Sequence, residues 1–215
     1  MAAAWEPDEE DAAFLRVYGP WQPLTPAQAV ELMAGFPAPW WVVGGQAIEA
    51  FTGVRRFHED LDLVVYSHDF PAFREQMSSR YHVWSNHGGT LRVVDDRHPE
   101  PLHPLSQIWL REHALAPWVV DCPLNPSVDG RWQSKRDPAH VADLDEVTWV
   151  AGDGVRYLNP EIVLHYKGAQ LRAKDELDLQ HTWPLLPEEK RRWLLDALRT
   201  TYGADHVWID RLDRS

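Results

Sequence analysis

Two aspartates spaced two residues apart have the clearest chemical potential in this sequence. Asp60 and Asp62 alternate with leucines at the start of an apolar run that ends at Tyr66. In a β-strand, residues two apart point to the same face, so both carboxylates project together while the leucines enter the core. Adjacent carboxylates repel unless a cation lies between them, and Mg²⁺ commonly binds one or two carboxylates together with substrate phosphates. The alternative is a solvated acidic strand end with no ligand.

Two further features would complete a site for a phosphate-bearing substrate. Gly44 and Gly45 follow an apolar strand and precede a helical pattern, where backbone without side chains can approach a phosphate near a helix N-terminus. Asp121 ends the apolar strand Trp118-Val119-Val120. Each feature also has a plainer interpretation: the glycine pair as a tight turn, and Asp121 as a turn cap. Together they are the equipment of two-metal phosphoryl or nucleotidyl transfer.

These motifs resemble the signature of DNA polymerase β-like nucleotidyltransferases and, within them, the aminoglycoside and lincosamide nucleotidyltransferases. The resemblance is carried by Gly44-Gly45-Gln46-Ala47, Arg56-Phe57-His58, Asp60-Leu61-Asp62 and Val119-Val120-Asp121-Cys122. It is firm over residues 40–66 and loose over residues 115–180. The sequence departs from the pattern at Gln46, where relatives usually have Trp, and at Glu49, where they often have Asp.

The resemblance implies a metal site and a reaction. Asp60 and Asp62 would hold Mg²⁺ against a nucleoside triphosphate, and Asp121 would be the third metal ligand or the base that takes the proton of the acceptor hydroxyl. The acceptor oxygen would attack the α-phosphorus in line while pyrophosphate leaves. We expect transfer of AMP from ATP to a hydroxyl of a small molecule. The specific expectation is an aminoglycoside-like or lincosamide-like antibiotic, and a cationic acceptor fits this expectation.

The resemblance also assigns residues to the nucleotide. Gly44 and Gly45 would cradle the β- and γ-phosphates, and Arg56 and His58 would help to bind or orient them. Lys167, on a predicted helix, would reach the triphosphate as a mobile point charge. Further along, Lys174 and Asp175 are either an ordinary surface pair or functional residues, and Asp178 is predicted to tie helices together.

Two other functions remain open at this point. A toxin-type enzyme on the same fold would nucleotidylate tRNA or protein, with a basic stripe around Lys167, Arg172 and Lys174 as its contact surface. A non-catalytic module on the same fold would bind a nucleoside triphosphate or a partner without forming a product. All three candidate carboxylates are present, which weighs against a decayed enzyme.

Composition narrows the partners. The 215 residues include 21 Lys+Arg and 33 Asp+Glu, a formal net charge of −12, which disfavours binding to nucleic acid or an anionic membrane. The one cysteine, Cys122, excludes an intrachain disulfide and a multi-cysteine zinc site. We expect a cytoplasmic protein, because the N-terminal stretch is acidic where a signal peptide is basic and no apolar run is long enough to span a bilayer.

The elements that must position these residues indicate an α/β (α+β) fold, a polymerase β-like mixed sheet flanked by helices with a small C-terminal helical portion. Helices are predicted from the capping box at Thr25 to Gly35 and over residues 46–51, 70–79, 105–115, 161–171, 175–185 and 187–200. Strands are predicted over residues 40–43, 61–66, 81–84, 90–94, 116–121, 147–150 and 155–158. The predicted domains are a nucleotidyltransferase domain, residues 1–158, and a helical portion, residues 159–215.

Overall fold

The computed structural model describes residues 9–212 of the chain. Its helices are α1 (Glu9–Tyr18), α2 (Pro26–Leu32), α3 (Gly44–Thr52), α4 (Phe70–Ser78), α5 (Leu144–Val147), α6 (Pro160–Lys167), α7 (Ala173–Thr182), α8 (Glu188–Tyr202) and α9 (Val207–Leu212). Its strands are β1 (Trp40–Val42), β2 (Leu63–Val65), β3 (His82–His87), β4 (Thr90–Val94), β5 (Gln107–Arg111), β6 (Val120–Pro123), β7 (Ser127–Val128), β8 (Arg131–Gln133), β9 (Val141–Ala142), β10 (Thr148–Val150) and β11 (Arg156–Leu158).

Two compact units make up the described chain, and each is assembled from two segments. The first unit combines the described residues up to Trp40 with Arg56–Leu124. The second combines Trp41–Arg55 with the described residues from Asn125 onward. Residues that are distant in sequence therefore share a core in each unit. The predicted domain boundary at residue 158 stays a prediction.

The first unit contains an antiparallel sheet in the order β4-β3-β5-β6. The predicted hairpin is confirmed, because β3 and β4 pair from Val83–Val94 to His87–Thr90. Helix α4 packs against β3, and β2 lies beside β6. The predicted helix over residues 70–79 is also confirmed, and its buried Phe73 and Met77 follow the helical spacing of a core-facing stripe.

The predicted helix over residues 105–115 is wrong, since this segment contains β5. Leu105, Ile108 and Leu115 lie at helical spacings, but the three central residues of β5, Ile108, Trp109 and Leu110, are all buried. Ile108 and Leu110 are fully buried, and β5 pairs with β3 on one side and β6 on the other. A strand with two neighbours satisfies its backbone groups through both, so non-local pairing outweighs the local helical pattern.

A mixed sheet forms in the second unit, where β11 pairs antiparallel to β10 and parallel to β1. The predicted hairpin over residues 147–158 is thereby confirmed. Strands β7, β8 and β9 form a further antiparallel sheet. Helices α3, α6 and α7 pack together, α8 packs on α6, and α9 packs on α8. The predicted C-terminal helices are confirmed as α6, α7 and α8, whereas α9 was not predicted.

The architecture confirms the predicted α+β fold class with a C-terminal helical portion. The predicted capping box is also present, because the Thr25 hydroxyl accepts from the Gln28 N–H and the Gln28 side chain accepts from the Thr25 N–H. Across residues 9–212, no helix has both the length and the apolar character needed to cross a bilayer.

Candidate functional site

The three predicted carboxylates converge within the first unit. Asp60 and Asp62 lie just before β2, and Asp121 is in β6. Each offers one carboxylate oxygen, and these oxygens lie within 4.8 Å of one another. Within the described residues, no other set of three His, Cys, Asp or Glu side chains converges in this way.

Strand pairing explains the convergence. Asp62 and Asp121 form a parallel bridge, and the Asp121 N–H donates to the Leu61 carbonyl at 3.0 Å. Side chains alternate along an extended segment, so Leu61 and Leu63 are fully buried while Asp60 and Asp62, which alternate with them, point to the other face. The expectation that two carboxylates project together from this segment is confirmed, and the third joins them from the neighbouring strand.

Burial differs among the three acids. Asp60 and Asp62 are half-buried, whereas Asp121 is only 3% exposed. The amide Nε2 of Gln107, in β5, donates to Asp121 Oδ2 at 2.6 Å. Three like charges this close together repel one another strongly in a partly desolvated environment. The arrangement therefore favours a ligand that brings positive charge.

The donor set fits Mg²⁺. This cation prefers oxygen ligands at about 2.0–2.1 Å in octahedral geometry, which places opposite ligands about 4.2 Å apart. The 4.8 Å limit on the carboxylate oxygens exceeds that span by a few tenths of an ångström, so small side-chain rotations would close it. Carboxylates alone, without His or Cys, are also the ligands of hard cations rather than of zinc. These three residues could hold Mg²⁺.

Arg56 and His58 lie in the irregular segment between α3 and β2, in the same unit as the three carboxylates. Both side chains are half-buried, and Arg56 donates from Nη1 to the Phe57 carbonyl at 2.9 Å. Their roles in binding the nucleotide stay predictions.

Gly44 and Gly45 begin α3, one residue after β1 ends, which confirms the predicted strand, glycine pair and helix. Gly44 has φ +66°, a left-handed conformation that glycine adopts without steric cost. Val43 is the capping residue, and its side chain has no oxygen to accept from the first-turn N–H groups. The N-terminus of α3 is therefore suited to an anionic group, although its role in binding phosphates stays a prediction.

Lys167 lies in a buried ion-pair network of the second unit. Its side chain is 8% exposed, and Nζ lies 2.8 Å from Asp175 Oδ1 and 2.9 Å from Asp178 Oδ2. Asp178 thus ties α6 to α7, as predicted. These ion pairs are a structural use of Lys167, and its predicted contact with the triphosphate stays a prediction.

Asp175 is fully buried. The interpretation of Lys174 and Asp175 as an ordinary surface pair is therefore wrong for Asp175. Asp175 also accepts from Arg172 Nε at 2.9 Å. Burial by itself raises the pKa of Asp175, but hydrogen bonds from Arg172 and Lys167 and their positive charges outweigh it, so the pKa lies below its ordinary value. The carboxylate is thus held ionised inside the second unit.

Gln107 is the residue at this site that the sequence did not reveal. It belongs to no recognised motif, and it falls within the segment that was predicted as a helix. The one available signal is its place directly before the continuous apolar run Ile108-Trp109-Leu110, which is typical of a strand buried on both faces. Only the pairing of β5 with β6 brings its amide to Asp121.

Comparison with known proteins supports the fold. No family model matches the sequence, and no curated protein sequence does. Among solved structures, the chain is similar to the solution structure of the antibiotic-resistance factor ANT(2'')-Ia, with 18% identity and a TM-score of 0.54, over 83% of this chain and 90% of that one. It is also similar to the crystal structure of ANT(2'')-Ia in complex with adenylyl-2''-tobramycin, with 16% identity and a TM-score of 0.55, over 83% and 99% of the two chains. The chain therefore has the fold of this antibiotic-resistance factor.

Proposed function

We propose that this protein is an Mg²⁺-dependent nucleotidyltransferase that transfers AMP from ATP to a hydroxyl of an aminoglycoside-like or lincosamide-like antibiotic. The observation that carries the proposal is the convergence of Asp60, Asp62 and Asp121 from separate segments in a chain of this fold. The ANT(2'')-Ia complex supports it, because an adenylylated antibiotic is the product of such a transfer.

The proposed chemistry follows from what each carboxylate offers. Asp60 and Asp62, half-buried, would hold the cation while remaining accessible to a bound triphosphate. When bound, Mg²⁺ would neutralise the carboxylates and supply positive charge to the phosphoryl oxygens of the transition state. Asp121 is either a third ligand or the base, and as a base it would take the proton from the acceptor hydroxyl. The bond from the acceptor oxygen to the α-phosphorus then forms as the bond to pyrophosphate breaks.

The remaining assignments belong to the same proposal. The backbone of Gly44 and Gly45 would bind phosphate oxygens through N–H groups at the start of α3. Arg56 and His58 would supply further contacts to the anionic nucleotide. Each assignment predicts a rise in the Michaelis constant for ATP on substitution, with a smaller change in the rate at saturating ATP, because these groups bind rather than react.

The test is direct turnover with a panel of acceptors. The protein is incubated with ATP, Mg²⁺ and each of several aminoglycosides and lincosamides, while pyrophosphate release and acceptor mass are measured. The expected result is a mass increase of one adenylyl group on at least one antibiotic. If no antibiotic in either class is modified, the proposed acceptor is wrong.

Matched variants test the site. Asp62→Asn keeps the size and removes one proposed ligand charge, so we expect turnover to fall at least a hundredfold. Asp129→Asn is the control, because it removes the same charge from an exposed turn residue whose φ of +51° suits asparagine. If Asp62→Asn were fully active, the assignment of the site residues would be overturned, although the proposed reaction would stand.

A further inference from the structure

We propose that Gln107 is the positioning residue of the candidate metal site, acting through Asp121. The inference rests on the proposed function and goes beyond its three carboxylates. The Gln107 amide Nε2 donates to Asp121 Oδ2 at 2.6 Å, so one oxygen of the buried carboxylate is committed to the protein. This bond limits rotation of the carboxylate and fixes the direction of its other oxygen.

The sheet holds the two residues in place. In the pairing of β5 with β6, Trp109 lies opposite Asp121 and Gln107 lies opposite Pro123, so Gln107 and Asp121 are diagonal neighbours. The register is fixed beyond both ends of this pairing, because the Leu124 N–H donates to the Ser106 carbonyl at 3.0 Å and the Val119 N–H donates to the Leu110 carbonyl at 2.9 Å. A donor that starts from a central strand is aimed more precisely than one from a loop.

The neutral amide suits this task better than a charged donor does. Asp121 is 3% exposed, so its carboxylate needs hydrogen-bond donors from the protein. A lysine or arginine at position 107 would satisfy that need but would also cancel the negative charge that attracts a cation. An amide donates a hydrogen bond and leaves the full charge of the carboxylate available.

The test measures metal affinity directly. Mn²⁺ alone is titrated into the protein, and the signal of unbound Mn²⁺ is followed by electron paramagnetic resonance. In parallel, Tb³⁺ alone is titrated and its tryptophan-sensitised luminescence is followed, since Trp109 lies opposite Asp121. Outer-shell partners of metal ligands typically contribute 10–100-fold to affinity. We therefore expect Gln107→Met, which has similar size and no donor, to weaken Mn²⁺ binding about tenfold or more.

Further variants separate positioning from general stability. Gln107→Asn keeps the amide but is one methylene shorter, so it provides a polar alternative if the methionine variant does not fold, and it should also weaken Mn²⁺ binding. Gln133→Met is the matched control, since Gln133 also lies on a strand and donates to a carbonyl, that of Pro138 at 2.9 Å. In the Asp121→Asn background, Gln107→Met should have no additional effect on Mn²⁺ affinity, because its route to the metal is already lost.

The outcomes distinguish this inference from the proposed function. If the protein binds Mn²⁺ and loses it in Asp62→Asn, but Gln107→Met and Gln107→Asn bind normally, the positioning role is overturned while the metal site stands. The positioning role is also overturned if Gln107→Met weakens Mn²⁺ binding equally in the unaltered protein and in the Asp121→Asn background. If the unaltered protein binds neither Mn²⁺ nor Tb³⁺, the proposed function and this inference fail together.

Discussion

At the scale of the residue, the charge of Asp62 serves the candidate metal site but lowers the stability of the metal-free fold. Its carboxylate oxygen lies within 4.8 Å of those of Asp60 and Asp121, and these like charges repel when no cation is bound. We expect Asp62→Asn to raise the free energy of unfolding of the metal-free protein by about 1 kcal/mol, because one of three negative charges is removed. Thermal unfolding in the presence of a chelator measures this change.

The same variant should lose the stabilisation that Mg²⁺ gives to the unaltered protein, since ligand binding to the native state raises the unfolding temperature. Asp129→Asn should respond to Mg²⁺ as the unaltered protein does. If Asp62→Asn were clearly less stable than the parent in chelator, Asp62 would serve the fold rather than a cation.

His165 is a buried histidine that makes the stability of the fold depend on pH. It is 1% exposed, its Nε2 lies 2.9 Å from the Thr201 hydroxyl, and Nδ1 has no hydrogen-bond partner in the structure. Burial lowers the pKa of His165 from 6.5 to about 4. The unfolded chain therefore binds a proton more readily than the folded protein between these two values, so stability falls as the pH drops through that window.

We expect this histidine to contribute roughly 3 kcal/mol of stability above pH 6.5 that is lost progressively as the pH falls toward 4. Urea unfolding midpoints at pH 7.5, 6 and 5 measure the loss. The slope should be smaller in His165→Asn, whose side chain does not titrate, and unchanged in His181→Gln, which alters an exposed histidine. An equal slope in His165→Asn and the parent would contradict the assignment.

At the scale of the element, α6 and α7 are joined by charge rather than by apolar contact alone. Lys167 on α6 lies between Asp175 and Asp178 on α7, and all three side chains are buried. Breaking such a pair leaves buried carboxylates without their cation, so we expect Lys167→Met to lower the free energy of unfolding by about 3–5 kcal/mol. Urea unfolding measures this loss, and Lys174→Met is the control for removing one lysine from the same region.

The double variant Lys167→Met/Asp178→Leu should recover part of the lost stability, because it removes a carboxylate together with the cation. The single variant Lys167→Met also tests the predicted contact of Lys167 with the triphosphate. If Lys167→Met remains as stable as the parent and its Michaelis constant for ATP rises, the residue binds the nucleotide and the ion pairs are secondary.

The sequence predicted those elements that are encoded by a pattern of neighbouring residues. The capping box at Thr25, the hairpin of β3 with β4 and the alternation of Asp60 and Asp62 with leucines are all local patterns, and each is confirmed. The convergence of Asp121 with the other two aspartates was inferred from a resemblance, and pairing between distant segments produces it.

The unpredicted features arise from contacts between distant segments. β5 gains its strand conformation from two neighbours, one of them formed by residues after it, and no local pattern encodes both. Likewise, the burial of Asp175 depends on Lys167 from another helix, and the contact of Gln107 with Asp121 depends on the β5–β6 register. Side chains of this kind lie outside any short motif.

For the whole molecule, the formal net charge of −12 bears on which acceptors approach it. A negative protein attracts polycations over roughly the Debye length, about 10 Å at 0.1 M salt and 3 Å at 1 M. If the acceptor is a polyamine antibiotic, kcat/KM should fall several-fold between these salt concentrations. The decrease should be steeper for acceptors with more amino groups, and steady-state kinetics over a salt series measures it.

A kcat/KM that is independent of salt for every productive acceptor would contradict this expectation. The same charge disfavours the toxin-type alternative that acts on tRNA, whose phosphates would be repelled. Growth arrest on expression, relieved by Asp62→Ala, would nevertheless favour the toxin-type alternative.

Cys122 follows Asp121 in β6, and its side chain is fully buried on the face opposite the carboxylates. As the sole cysteine of the chain, it gives the protein a natural reporter for thiol labelling. A reagent can reach this thiol only when the strand opens, so the labelling rate measures how often the backbone beneath the candidate site becomes exposed. A cation or nucleotide that binds Asp121 should slow the labelling, and occupancy of the site can thus be followed without any knowledge of the acceptor.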